Sequence, residues 1–287
     1  MWLPLLTALT LAAPRDSLLV SPSWLAQHLD DPQVIVLHVT HAMGGGGDFA
    51  RAHVPGAREV DYMRITRTAD SLSTEVPPLE EMRTLFQGLG ISDDSRVVVY
   101  ADEAPMATRA IFTLHLLGVR GAGLLDGGLD GWRSGGRQVA TGAATVGRPG
   151  KITARAYAPL VVDAAWITAR LGQPGTAWID TRTDEEYLGT GGRRGMPSAG
   201  HLAGARQVQW ESLFDRSGQT MRPRGEIAKL FETAATGETV VAYCWVGYRA
   251  SATWFAATLL GYDARLYDGS YQDWQRRALP VKAGRAP

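Results

Sequence analysis

The chain is short of cysteine, of net charge and of long apolar runs, and each shortage excludes something. One cysteine, Cys244, in 287 residues rules out an internal disulfide. No Cys/His cluster has zinc spacing, so neither a metal site nor a cofactor is expected. The glycine run Gly44 to Gly47 lacks a following Gly-Lys-Ser/Thr and reads as a surface loop, not a phosphate cradle. Lys plus Arg and Asp plus Glu both number 29, so no nucleic-acid or membrane-surface partner is indicated. Met1 to Ala13 is apolar but too short to span a bilayer, and membrane insertion is not expected. That run is similar to the apolar part of a secretory signal, without its basic leading residues. Residues 1–14 are therefore expected to direct export to the periplasm, the alternative being an N-terminal arm on a cytoplasmic protein.

What is present is a repeat. A hydrophobic content of 45% with 20% charged residues suits a soluble globular chain, and the length suits two domains. Trp24 and Trp166, each in a short amphipathic stretch, stand 142 residues apart. The strand Val34 to His38 matches Ala177 to Asp180, and His53-Val54-Pro55-Gly56-Ala57 matches His201-Leu202-Ala203-Gly204-Ala205. Arg96 to Tyr100 matches Thr239 to Tyr243, and Asp126-Gly127-Gly128 with Trp132 matches Asp268-Gly269-Ser270 with Trp274. Landmarks in the same order at offsets of 142 to 148 indicate two copies of one fold. Each copy alternates apolar strands with amphipathic helices, the pattern of an α/β domain whose mainly parallel sheet carries helices on both faces. The boundaries follow: one domain over 15–140, a Gly- and Pro-marked linker over 141–153, a second domain over 154–287.

The copies differ at one place. Thr239 to Tyr243 reads as a buried strand, and Ala250 to Leu260 as a helix stopped by Gly261. Between them lies Cys244-Trp245-Val246-Gly247-Tyr248-Arg249. A thiol at a strand end, under a helix N-terminus and near a fixed cation, is favoured to ionise and act as a nucleophile. The first copy has Tyr100-Ala101-Asp102-Glu103 there, so it is expected to be structural or one wall of a shared cleft.

The His-x-x-Gly-Ala and Asp-Gly-Gly/Ser…Trp elements of each half, with Cys244-x-x-Gly247-x-Arg249, resemble the tandem-domain rhodaneses, the thiosulfate and 3-mercaptopyruvate sulfurtransferases. The likeness runs from about Leu18 to about Trp274. It implies two rhodanese-like domains, the second catalytic, and an enzyme that moves sulfur through a Cys244 persulfide. The implied partners are a small anionic sulfur donor and a thiol or cyanide acceptor. Trp245, Val246, Gly247 and Tyr248 are then the pocket's loop, with backbone N–H groups turned inward. Arg249 either binds the donor or ties the loop down. Arg182 matches a donor-binding arginine of the family; a salt bridge to Asp180, Glu185 or Glu186 is its alternative. Arg193 and Arg194 are further candidates for the anion. His201, Asp180 and Asp268 read as structural fasteners. Because Arg249 restores a positive charge that Trp245 and Val246 lack, thiosulfate is the expected donor, with 3-mercaptopyruvate as the alternative. A persulfide carrier for a partner protein shares the same loop. A Cys-based phosphatase would need five residues between Cys and Arg; here there are four.

Overall fold

The computed structural model describes residues 18–41, 48–143, 145–193, 196–235, 237 and 239–287. The N-terminal segment, Gly44 to Gly47 and Arg194 lie outside them, as does the side chain of Arg193.

Two five-stranded sheets form, each wholly parallel. The first is ordered Leu19–Val20, Ala122–Leu125, Arg96–Ala101, Val34–Thr40, Arg58–Asp61. The second is ordered Val161–Val162, Asp263–Tyr267, Thr239–Tyr243, Thr176–Asp180, Arg206–Gln207. The order is the same, as duplication requires. In each half the central strand carries a run of buried Val, Ala and Tyr because both of its faces are covered.

The duplication extends to single hydrogen bonds. Tyr100 Oη accepts the Val54 N–H at 3.0 Å, and Tyr243 Oη accepts the Leu202 N–H at 3.2 Å. His53 Nδ1 pairs with the Phe49 carbonyl at 2.8 Å, and His201 Nδ1 with the Tyr187 carbonyl at 2.9 Å. Trp132 donates to Gln138 O and Trp274 to Pro280 O. Gly56 and Gly204 sit at φ +74° and +81°, a region that penalises side chains. His201 stacks on Tyr187 with centroids 3.8 Å apart, so it fastens a turn, as its sequence context suggested.

The halves share a core. Helices Ala104–Leu116 and Ala250–Leu260 each follow the central strand of their own half and pack on one another, which is why both are buried nearly all round. Phe112 meets Trp254 edge-on at 5.0 Å, and the hydroxyls of Thr108 and Ser251 are 2.8 Å apart. Truncating Trp254 to alanine would cost about 3–5 kcal/mol.

Each half also sends a segment into the other. Residues 67–75 of the first half form the hairpin Arg67–Ala69/Leu72–Glu75, and Phe214 bridges to Met221 in the second. Val76 N–H donates to Asp268 Oδ2 at 2.8 Å, and Met221 N–H donates to Asp126 Oδ1 at 2.9 Å. Gln219 Nε2 donates to the Asp102 carbonyl and Thr74 Oγ1 to the Val246 carbonyl. Asp126 and Asp268 are the matching acids of the two Asp-Gly elements. The exchange is reciprocal, and it puts residues of the cysteine-less half against the cysteine loop.

Candidate active site

Strand Thr239–Tyr243 delivers Cys244 to the edge of the shared core, and the chain turns at once into helix Ala250–Leu260. The turn is held from outside by its carbonyls. Cys244 O accepts from Tyr271 N–H at 2.9 Å and Trp245 O from Gln272 N–H at 3.0 Å. Val246 O accepts from Thr74, and Tyr248 O from Ser251 Oγ at 2.8 Å. In a trans peptide the N–H opposes the C=O, so the N–H groups that follow these carbonyls point to the inside of the loop. Arg249, the residue before the helix, makes no side-chain capping bond to it, so the positive end of the helix is not covered by a side-chain cap. Together they form a cradle for an anion or a sulfur anion.

Gly247 is required there. Its φ is +78°, and a Cβ would lie 2.8 Å from the Asp268 carbonyl and 3.5 Å from Arg109 Nη1. The thiol itself is 0% exposed. A donor therefore reaches it only when covering side chains part.

Two of the arginines expected at the donor, Arg182 and Arg249, are each paired with a carboxylate. Arg182 donates through Nε and Nη2 to the buried Asp180 carboxylate and through Nη2 to the Gly200 carbonyl, both Nη2 contacts at 2.7 Å. Its guanidinium lies 3.9 Å from the Tyr271 ring centroid and 5.3 Å from that of Trp245. This is the salt bridge weighed as its alternative, with Asp180 as partner, and it leaves Arg182 as a prop beneath Trp245. Arg249 pairs with Glu186 at 2.9 Å, both largely buried. Trp245 Nε1 also donates to Glu186. Arg249 is thus charge-paired with Glu186 and not free at the loop. Trp245 is buried, edge-on to Tyr271 at 5.0 Å, while Val246 and Tyr248 remain half-buried.

Glu186 was not singled out as a site residue by sequence reasoning. Its signal was the capping box: Thr183 N–H donates to Glu186 Oε2 at 2.9 Å, and Glu186 N–H to Thr183 Oγ1 at 3.4 Å. The cap fixes the glutamate on the helix Asp184–Leu188, from which its other oxygen reaches Trp245 and Arg249.

The first half contributes a second, unforeseen group. Arg109 is fully buried and its Nη1 lies 2.6 Å from Asp268 Oδ1, in a geometry too bent for either atom to complete a hydrogen bond. Arg109 Nη2 donates to the Thr74 carbonyl at 2.6 Å. Burial pushes the nearby Glu75 carboxyl up to about 8; Asp268 adds to the shift and Arg109 opposes it. Tyr248 Oη donates to Glu103 Oε2 at 2.6 Å, again across the halves. Burial and that bond both raise the Tyr248 phenol far above its ordinary value.

The chain matches the rhodanese-like domain model twice, over residues 21–135 and 163–277, and it belongs to the rhodanese-like family. It is 33% identical over 271 residues to a Pseudomonas aeruginosa protein named "Probable 3-mercaptopyruvate sulfurtransferase", covering 89% of this chain and 94% of that one. It is 30% identical over 262 residues to the thiosulfate sulfurtransferase of the same organism, covering 90% and 93%. It is also 30% identical over 289 residues to the sulfur carrier protein TtuD of Thermus thermophilus, covering 94% and 98%. The duplicated domains, with one cysteine between them, are those of a tandem rhodanese.

Proposed function

We propose that the protein is a sulfurtransferase in which Cys244 takes sulfur from a small anionic donor and passes it to a thiol or cyanide. One observation carries this: the chain's only thiol opens a loop whose carbonyls at Cys244, Trp245, Val246 and Tyr248 are all taken up in hydrogen bonds. The site supplies a cradle for a sulfur anion and needs no general base for the attack, since the thiolate is the nucleophile.

Two donors fit the chemistry. With thiosulfate, the Cys244 thiolate attacks the outer sulfur, the S–S bond breaks, and sulfite leaves with the electron pair. With 3-mercaptopyruvate, the thiolate attacks the donor sulfur and the C–S bond breaks. The pair goes to carbon as the pyruvate enolate, which takes a proton from water. Either route leaves a Cys244 persulfide. An acceptor thiolate or cyanide then attacks the outer sulfur and returns the Cys244 thiolate.

The charge pairing favours 3-mercaptopyruvate. Glu186 neutralises Arg249, and Asp180 neutralises Arg182, so a singly charged donor meets less repulsion than a doubly charged one. Steady-state kcat/KM with each donor tests it. A higher value with 3-mercaptopyruvate is expected; a higher value with thiosulfate would return the donor assignment to the one the sequence suggested.

A further inference from the structure

Ser270 stands at φ +53°, in the left-handed region that disfavours any residue with a side chain. Its counterpart in the Asp-Gly-Gly element of the first half is Gly128, at φ +55°. The backbone bends alike in both halves, and the first half meets it with the residue that suits it. A serine kept against that preference points to a use for its side chain.

The hydroxyl is spent on the cysteine. Ser270 is fully buried; its Oγ accepts the Cys244 N–H at 3.3 Å and donates to the Tyr267 carbonyl at 2.8 Å. The next residue holds the other side of Cys244: Tyr271 N–H donates to Cys244 O at 2.9 Å. Consecutive residues of the helix Ser270–Arg276 therefore grip both backbone polar groups of the cysteine. Fixing that N–H and that C=O fixes the two peptide planes that meet at the Cys244 Cα. The direction in which the side chain leaves the backbone is fixed with them. In the first half the strand ends at Ala101, which has no reacting group to aim, and Gly128 has no hydroxyl to aim it.

We propose that Ser270 is a positioning residue for sulfur transfer: by holding the Cys244 N–H it aims the thiolate at the donor sulfur. It acts through the Cys244 backbone and does not touch the reacting atoms. Displacement at sulfur needs the nucleophile, the attacked sulfur and the leaving group in line. Loosening Cys244 therefore lowers the rate of transfer and leaves donor binding alone. The proposal rests on the reading of Cys244 as the sulfur-carrying nucleophile.

Ser270→Gly and Ser270→Ala separate the aim from the fold. Both remove the hydroxyl, but only glycine relieves the backbone, so Ser270→Gly is expected to unfold at higher urea than Ser270→Ala. Both are nevertheless expected to slow single-turnover persulfide formation at saturating donor by about two- to tenfold, the worth of one hydrogen bond, with KM for the donor unchanged. A Ser270→Gly protein that forms the persulfide at the wild-type rate would overturn the proposal, since a serine serving only the fold predicts that result. A second readout needs no donor. Hydrogen exchange at the Cys244 amide is expected to quicken in both variants while the strand Thr239–Tyr243 keeps its protection. Unchanged exchange at Cys244 would also overturn the proposal. Should the wild type take up no sulfur from either donor, the reading of Cys244 falls; the exchange comparison still decides whether Ser270 holds the Cys244 backbone.

Discussion

Arg109 of the cysteine-less half lies 2.6 Å from Asp268 of the catalytic half, with the arginine fully buried and the aspartate 6% exposed. The pair stands directly behind Gly247, so the cation that backs the cysteine loop comes from the domain that has no cysteine. Arg109→Met would leave the buried Asp268 carboxylate without its cation. Removing one member of a buried pair costs about 3–5 kcal/mol, and the urea midpoint should drop accordingly. An unchanged midpoint would mean that the pair does not hold the two halves together.

Glu75 gives that interface a pH dependence. The groups acting on it are Asp268 and Asp273, which raise it, and Arg109 and Arg67, which lower it; desolvation is the largest effect. Its folded value is about 8 against an ordinary 4.5. Within that window the folded chain keeps a proton that the unfolded chain has released. The Glu75 contribution to stability therefore falls as pH rises through the window. Glu75→Gln should flatten this part of the profile and raise the urea midpoint on its alkaline side. A steeper fall in the variant would contradict the assignment.

Glu186 should act on donor choice more than on the loop's shape. Glu186→Gln keeps one oxygen, which can accept from Trp245 or from the Thr183 N–H but not from both, and it releases the charge of Arg249. The ratio of kcat/KM for thiosulfate over 3-mercaptopyruvate is expected to rise by about tenfold, a typical worth of one charge in a partly buried site. A ratio that does not move would show that Arg249 does not sense the donor.

Thr74 is a β-branched residue at φ +60°, a conformation that costs about 1–2 kcal/mol. It is held there by its bond to Val246 O and by Arg109, which donates to its carbonyl. Thr74→Ala and Thr74→Gly both lose the bond to the loop, and both should lower turnover. Glycine alone relieves the backbone, so Thr74→Gly should unfold at higher urea than Thr74→Ala. Equal turnover in the wild type and both variants would show that the loop does not need this tie.

Much of the fold was legible because duplication is a property of the chain. Matching strands, the two His-x-x-Gly-Ala turns and the two Asp-Gly elements lie at nearly constant offset, and the sheets repeat in the same order. The place of Cys244 was legible too, since a strand, six residues and an alanine-rich helix leave little choice. What could not be read was which charge meets which. Asp180 and Glu186 both lie within four residues of Arg182, and only packing decides that Asp180 takes Arg182 while Glu186 turns to Arg249. The contribution of Thr74 and Arg109 was hidden for a different reason. It depends on how two halves more than a hundred residues apart dock, and no local pattern records that.

Intact-mass spectrometry of the protein after exposure to each donor tests the central claim most directly. The account predicts a gain of one sulfur atom, located on Cys244, lost on adding cyanide and absent in Cys244→Ala. A wild-type protein that gains no sulfur from either donor, or that gains it equally in Cys244→Ala, would contradict it.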